Sequence, residues 1–237
     1  FIHNSPELIP DSMKISDLKW KYLVRSAVRS KNIMMTGPAG CGKTMAAKKV
    51  VEALKRPHFY FNLGATQDPR STLIGNTHFK KEEGTSFSES AFVKAIKTKD
   101  AIILLDELSR AHPEAWNILM TVLDQGQRYL RLDEQDGAPT IKVAEGVCFI
   151  ATANIGNEYT ATRSMDRALV DRFTIIEMDT LSMEQESELL LQLHPGITKM
   201  QSNTIAEIAS LTRKELSNES PKLTNAISTR LSVEIAG

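Results

Sequence analysis

Two hydrophobic periods alternate along the chain. Trp20, Leu23, Val24, Ala27 and Val28 stand at i, i+3, i+4, i+7 and i+8, the stripe of a helix with one buried face. Ile33 to Thr36 is a short apolar run stopped by Gly37-Pro38, the pattern of a buried strand. Residues 43–55 return to helical composition, His58 to Leu63 is aromatic-rich and strand-like, Phe92 to Lys97 reads as helix, and Ala101 to Leu105 as a second buried strand. Trp116, Leu119, Met120 and Leu123 repeat the helical stripe, with Pro113 near its start and Gly126 just after its end. Val147 to Thr152 and Phe173 to Glu177 bring the predicted strands to five. Strands alternating with helices predict an α/β fold, a parallel sheet covered on both faces.

Two stretches break the alternation. Residues 75–90 are polar and Gly-containing, which suits an exposed insertion. Residues 127–146 hold two alternating runs, Tyr129 to Leu132 and Thr140 to Val143, around a Gly/Pro turn, which predicts a β-hairpin. After Asp179 the pattern becomes helical only. Ser182 with Gln185 three residues on has the form of a capping box ahead of Leu189, Leu190 and Leu193. His194-Pro195-Gly196 ends that helix; Ile205, Ile208, Ala209 and Leu216 predict a second, and residues 228–236 a third. A boundary near residue 180 is expected, with one domain over 1–180 and a helical one over 181–237.

Composition acts mainly by exclusion. The 237 residues carry 29 Lys and Arg against 29 Asp and Glu, so nothing in the net charge points to nucleic acid or another polyanion. The longest clean apolar run, Ala101 to Leu105, is far short of the ~18 residues that span a bilayer. The N-terminus has neither the basic nor the apolar region of a signal peptide, and the missing initiating Met suggests a fragment. Cys41 and Cys148 are too few for a disulfide framework or a Cys-based zinc site, so a reducing cytoplasm is the expected setting. The five histidines show no metal-ligand spacing, and there is no G-x-S-x-G elbow or protein-kinase signature set. Lys48-Lys49 and Lys80-Lys81 read as solvated faces.

The chemistry begins at Gly37-Pro38-Ala39-Gly40-Cys41-Gly42-Lys43-Thr44, a full match to G-x-x-x-x-G-K-[ST] placed between a predicted strand and a predicted helix. Its glycines let successive N–H groups turn toward a phosphate chain, and the helix start adds favourable field for the anion. Lys43 should reach the β- and γ-phosphates, and the Thr44 hydroxyl should bind Mg²⁺. Cys41 occupies a free position of the motif and reads as a tolerated small residue. The strand Ala101 to Leu105 then delivers Asp106 and Glu107 at its C-terminal end, the edge at which parallel sheets bind ligands. Asp106 would hold Mg²⁺, directly or through water, and Glu107 would orient and activate the attacking water. The second acid favours a water-activating ATPase over a small-molecule kinase.

These residues, with those that follow, resemble the AAA+ ATPases, and within them the branch of MoxR-type ATPases, dynein and midasin modules, the McrB restriction GTPase and the CobS subunit of cobaltochelatase. The resemblance covers roughly residues 9–180 well and the helical tail loosely. It implies a P-loop NTPase αβα sandwich with a five-stranded parallel sheet, followed by a small all-helical lid, and an ATP site completed between subunits of a homo-oligomeric ring, usually a hexamer. Gly37 to Thr44 matches the Walker A loop and Asp106-Glu107 the Walker B pair. Ala151-Thr152-Ala153-Asn154 resembles the A-T-x-N element, which makes Asn154 sensor 1. Met165 to Phe173 resembles the AL-x-x-RF segment, which makes Arg172 the arginine finger acting in trans, with Arg167 as runner-up. Asn62 matches a position that often hydrogen-bonds the Walker B Glu, and Arg230 falls where a sensor 2 arginine would. Residues 75–90 resemble an insertion within helix 2, and 127–146 a hairpin before sensor 1. Phe79 and Phe87 are candidate pore residues, but the aromatic–aliphatic–Gly motif of threading relatives is missing.

The resemblance implies ATP and Mg²⁺ as cofactors and a protein client remodelled at the cost of hydrolysis. The stretch from Asn154 through Gly156 to Arg172 has some likeness to CobS, so the client of a chelatase-type motor stands beside that of a chaperone-type one. A P-loop small-molecule kinase, a nucleotide-gated binding module and an AAA+ loader or helicase on DNA are the competing readings. ATP over GTP rests on the family majority alone.

Overall fold

Short apolar runs become strands and striped segments become helices, in the predicted order. The computed structural model describes residues 2–80, 84–133, 135, 137–154, 165–218 and 220–237. Helix α1 (Asp17–Val28) leads to β1 (Ile33–Thr36), α2 (Lys43–Leu54), β2 (His58–Asn62) and α3 (Pro69–Leu73). The chain continues through β3 (Gly75–Lys80), β4 (Gly84–Glu89), α4 (Ala91–Lys97), β5 (Ile102–Asp106) and α5 (Pro113–Leu123). It then forms β6 (Tyr129–Arg131), β7 (Thr140–Lys142), β8 (Cys148–Ala153), α6 (Arg167–Val170) and β9 (Thr174–Glu177). Three helices close it: α7 (Met183–Leu193), α8 (Lys199–Leu216) and α9 (Thr229–Ala236).

The main sheet has the order β2-β5-β8-β1-β9, with every pair parallel. Successive residues of its central strands feed opposite layers. Ile103, Leu105, Phe149 and Ala151 pack with Phe92 of α4 and Trp116 and Leu119 of α5. Ile102, Leu104, Cys148 and Ile150 pack with Trp20 and Leu23 of α1 and Val50 of α2. Both faces are therefore covered, and β1, β5 and β8 are buried at every position. That is why these strands read as unbroken apolar runs rather than alternations. The edge strands differ: β2 alternates exposed and half-buried positions, and β9 leaves Ile175 exposed.

Helix ends follow side-chain caps. Ser16, Asp68, Ser90 and Ser228 each accept a hydrogen bond from the backbone N–H three residues on. The capping box of Ser182 with Gln185 is formed, and Thr198 with Gln201 makes a second one at the start of α8. Each such cap contributes about 1 kcal/mol to holding the first turn.

Residues 75–90 carry more structure than the polar sequence predicts. Between α3 and α4 they form an antiparallel hairpin, β3 on β4, closed at its base by the Ser90 N–H to Ile74 carbonyl bond of 3.0 Å. Phe87 packs against the core, whereas Phe79 is 76% exposed. The predicted hairpin over 127–146 forms as β6 on β7 and buries Leu130 and Leu132. Beyond Asp179, α7, α8 and α9 pack on one another. There Glu186, fully buried, accepts two bonds from the Arg213 guanidinium at 2.6 and 2.9 Å, and Ser187 meets Ser202 at 2.9 Å.

Candidate nucleotide site

The turn after β1 is built on backbone that side chains rarely adopt. Gly37 has φ 144°, and a Cβ on it would fall 2.1 Å from the Met178 carbonyl oxygen beyond β9. Gly40 has φ 74°, and its Cβ would fall 2.6 Å from Cβ of Ser228, the residue that caps α9. Close approach on both sides leaves room only for glycine. Lys43 opens α2 and is buried, and its ammonium donates to the carbonyls of Gly37 at 2.9 Å and Pro38 at 2.6 Å. Burial lowers its pKa, opposed by Cys41 and Asp106; the Arg230 charge adds to the lowering. A phosphate chain in the loop would give this cation the anionic partner that two carbonyls only imitate.

Asp106, at the C-terminal end of β5, has three hydroxyl donors. Its Oδ1 accepts from Thr44 at 2.9 Å and from Thr152, and its Oδ2 accepts from Tyr60 at 2.7 Å. Glu107 sits in the left-handed region, φ 56° and ψ 38°. Its N–H donates to the Thr152 hydroxyl at 3.0 Å, and its Oε2 lies 3.4 Å from Arg110 Nη1. Asn62 makes no hydrogen bond to Glu107 among the described residues. Its amide oxygen accepts from the Ala65 N–H at 3.2 Å and closes the turn after β2, so Arg110 takes the place beside Glu107 that the resemblance gave to Asn62. Asn154 is tied at its N–H to the Ser109 hydroxyl at 3.1 Å.

These side chains share one cavity of about 710 Å³. Lys43, Thr44, Asp106, Glu107 and Asn154 line its polar side, and Met13, Met178, Leu189 and Val233 an apolar wall. Thr229 and Arg230, at the start of α9, line it from the helical segment. Gly37, Pro38 and Asn62 are not among its lining residues, and neither is Arg172. Its Nε donates to the Met120 carbonyl at 2.9 Å, Nη1 to the Ala168 carbonyl at 2.5 Å and Nη2 to Asp124 at 3.1 Å, tying α6 to α5. Arg167, on α6, is exposed and pairs with neither Asp166 nor Asp171. The positions Ile155 to Asn157 after sensor 1 lie outside the described residues.

Thr44 and Asp106 offer a hydroxyl and a carboxylate side by side, the hard oxygen donors that suit Mg²⁺. Among the described residues no group of three or more His, Cys, Asp or Glu could hold a metal ion. Phosphate oxygens and water would complete the shell, as Mg²⁺ prefers. No helix among the described residues is long and apolar enough to cross a membrane.

Sequence reasoning gave no role to Tyr60, Thr152, Gly64 or Arg110. Thr152 lay inside the matched A-T-A-N element. Tyr60 had a subtler signal. The register pairs Asn62 with Asp106 and Tyr60 with Leu104, so Tyr60 and Asp106 are diagonal neighbours on one face, a span that a long aromatic side chain reaches.

The parallel sheet with its glycine loop, buried lysine and strand-end acids defines a P-loop NTPase fold. The sequence model of the AAA domain, dynein-related subfamily, matches residues 32–173, and the chain belongs to that family. It is 33% identical over 205 residues to a protein of Thauera aromatica named "Putative chaperone BssE", covering 86% of this chain and 68% of that one. An uncharacterized protein of Staphylococcus saprophyticus is 32% identical over 166 residues, covering 69% of this chain and 61% of its own. The chain thus spans between three fifths and about two thirds of these relatives' length. Among solved structures it is similar to a RuvB mutant of Thermotoga maritima, with TM-score 0.60 and 14% identity, over 93% of this chain and 60% of that one. That likeness supports the fold.

Proposed function

We propose that this chain is the Mg²⁺-dependent, ATP-hydrolysing engine of a ring-forming AAA+ machine that remodels a partner protein. The observation that carries the reading is the convergence of Lys43, Thr44, Asp106, Glu107 and Asn154 on one cavity bounded by Arg230. In this reading Lys43 exchanges the Gly37 and Pro38 carbonyls for β- and γ-phosphate oxygens, beside the turned backbone of Gly37 to Gly42. Thr44 and Asp106 hold Mg²⁺, which would neutralise charge on the phosphates. Glu107 accepts a proton from water as the water oxygen bonds to the γ-phosphorus and the bond to the bridging oxygen of ADP breaks. Asn154 positions that water or the γ-phosphate, and Arg230 brings positive charge from the lid side. Positioning and charge stabilisation of this kind account for most of phosphoryl-transfer catalysis.

We further propose a division into a core over 1–180 and a lid over 181–237, a hexameric ring and a cytoplasmic setting. Two arginines near α6 can serve a neighbour's γ-phosphate. Arg172 must first exchange its ties to Met120, Ala168 and Asp124, whereas Arg167 has no such side-chain tie among the described residues. The chaperone wording in the name of the Thauera relative supports a protein client. Phe79, exposed on the β3–β4 hairpin, is the apolar side chain best placed to meet it.

The test is ATP hydrolysis per subunit over a wide range of protein concentration with Mg²⁺. Activity that rises steeply and then saturates is expected, because a neighbour completes the site. Flat, substantial activity would overturn the ring and favour a self-sufficient enzyme. In the same assay Lys43→Ala should abolish nucleotide binding, and Glu107→Gln should bind ATP without turnover.

A further inference from the structure

The Asp106 carboxylate is held at both oxygens, and the outer hold comes from a residue outside every matched motif. Thr44 and Thr152 donate to Oδ1. Oδ2 has one donor among the described residues, the Tyr60 hydroxyl at 2.7 Å. Tyr60 stands on β2, an edge strand of the five-stranded sheet. Its ring is steadied by the Lys48 ammonium, 5.0 Å from the ring centre. It also forms the partition between the nucleotide cavity and a second, basic one of about 580 Å³ bordered by Lys48, Lys55 and His58. A phenol bound to a carboxylate is a charge-assisted pair that fixes the plane of the carboxylate.

Resting on the Mg²⁺–nucleotide reading of the site, we propose that Tyr60 is the positioning residue for the metal: it anchors Oδ2 of Asp106 so that Oδ1 faces Thr44 and the cation. Without the phenol, Oδ2 loses its hold and the plane of the carboxylate is set by the two bonds to Oδ1 alone, which leave it free to tilt about that oxygen. Groups that orient metal ligands from behind typically alter metal affinity by about 10-fold or more. Tyr60 makes no bond to the phosphate loop, so the loop's own grip on nucleotide should not change.

The experiment measures ADP affinity by calorimetry in EDTA and in Mg²⁺ for the wild type, Tyr60→Phe and Thr44→Ala. In the wild type Mg²⁺ should tighten ADP binding. In Tyr60→Phe the EDTA affinity should match the wild type, while the Mg²⁺-dependent gain falls about tenfold, as it should for Thr44→Ala. A half-exposed Tyr on an edge strand tolerates Phe, and an unchanged melting temperature would confirm the fold. A full Mg²⁺ gain in Tyr60→Phe overturns the proposal, as does an equal loss in EDTA and in Mg²⁺, which would mark a general structural role. A wild type that binds ADP with no Mg²⁺ gain, or does not bind it, removes the underlying reading itself, and with it this proposal.

Discussion

Gly64, in the loop after β2, offers a test of Glu107 that never touches Glu107's chemistry. A Cβ at Gly64 would lie 2.4 Å from Glu107 Oε2, 2.8 Å from Glu107 Cβ and 3.3 Å from Arg110 Cβ. Carbon atoms pack at ~3.5–4.0 Å, so in Gly64→Ala the Glu107 Cβ must retreat by roughly 1 Å. The carboxylate oxygen can swing aside, but the Cβ cannot do so alone. It is fixed to a backbone in the left-handed region whose N–H is bound to Thr152. A misplacement of ~1 Å at a reacting group costs about 100-fold in rate, which is ~2.7 kcal/mol of barrier. Overpacking of this kind also costs ~1–3 kcal/mol of stability. The phosphate loop lies outside the clash, so ADP affinity should stay within about twofold, the signature of a lost transition-state contact. Steady-state ATPase rates and ADP calorimetry on Gly64→Ala, with Glu107→Gln in parallel, read both quantities. A folded Gly64→Ala protein with near wild-type kcat would refute the steric argument. So would a loss of ADP affinity as large as the loss of rate.

The arginines of the α6 segment separate by mixing. Arg172→Ala should lower the melting temperature, because three bonds to α5 and α6 are lost, whereas Arg167→Ala should not; whichever inactive variant regains ATPase on mixing with Lys43→Ala subunits supplies the finger, and no recovery by either rejects catalysis in trans. A maleimide at pH 8 should label half-exposed Cys41 and spare Cys148, whose buried thiol is pushed up to about 12; nucleotide should protect Cys41, and fast labelling of both would contradict the packing of β8. The unfolded chain ionises Cys148 near 9, so folding should lose stability as pH rises from 9 toward 12. That decline should be shallower in Cys148→Ala by urea unfolding.

The central strands and the phosphate loop were legible because burial on two faces writes itself as apolar runs, and phosphate binding writes itself as glycines at fixed spacing. The β3–β4 hairpin was not. Asn76, Thr77, His78 and Lys80 on one strand and Thr85, Ser86 and Ser88 on the other are polar on both faces, so no period distinguishes them from a loop. The partner of Glu107 was misplaced for a related reason. Asn62 has the right position in the strand, but its amide oxygen is fixed by the Ala65 N–H, a local turn that sequence spacing does not weigh and that sets the orientation of the amide. Tyr60 was invisible because an aromatic in an edge strand looks like packing until the register places it diagonally from Asp106. The proposed roles of Arg167 and Arg172 would depend on a neighbouring subunit, whose geometry no single chain encodes.

Ser228 rests against the phosphate loop at Gly40, with no space for even a methyl group between them. The consequence concerns time. In the proposed cycle, a phosphate chain held in that loop would lie against the start of α9, so the residence of spent nucleotide would be clocked by how often that helix lifts. In the proposed machine, a neighbour or client that leans on α9 would then set the tempo of the cycle without touching the groups that break the bond.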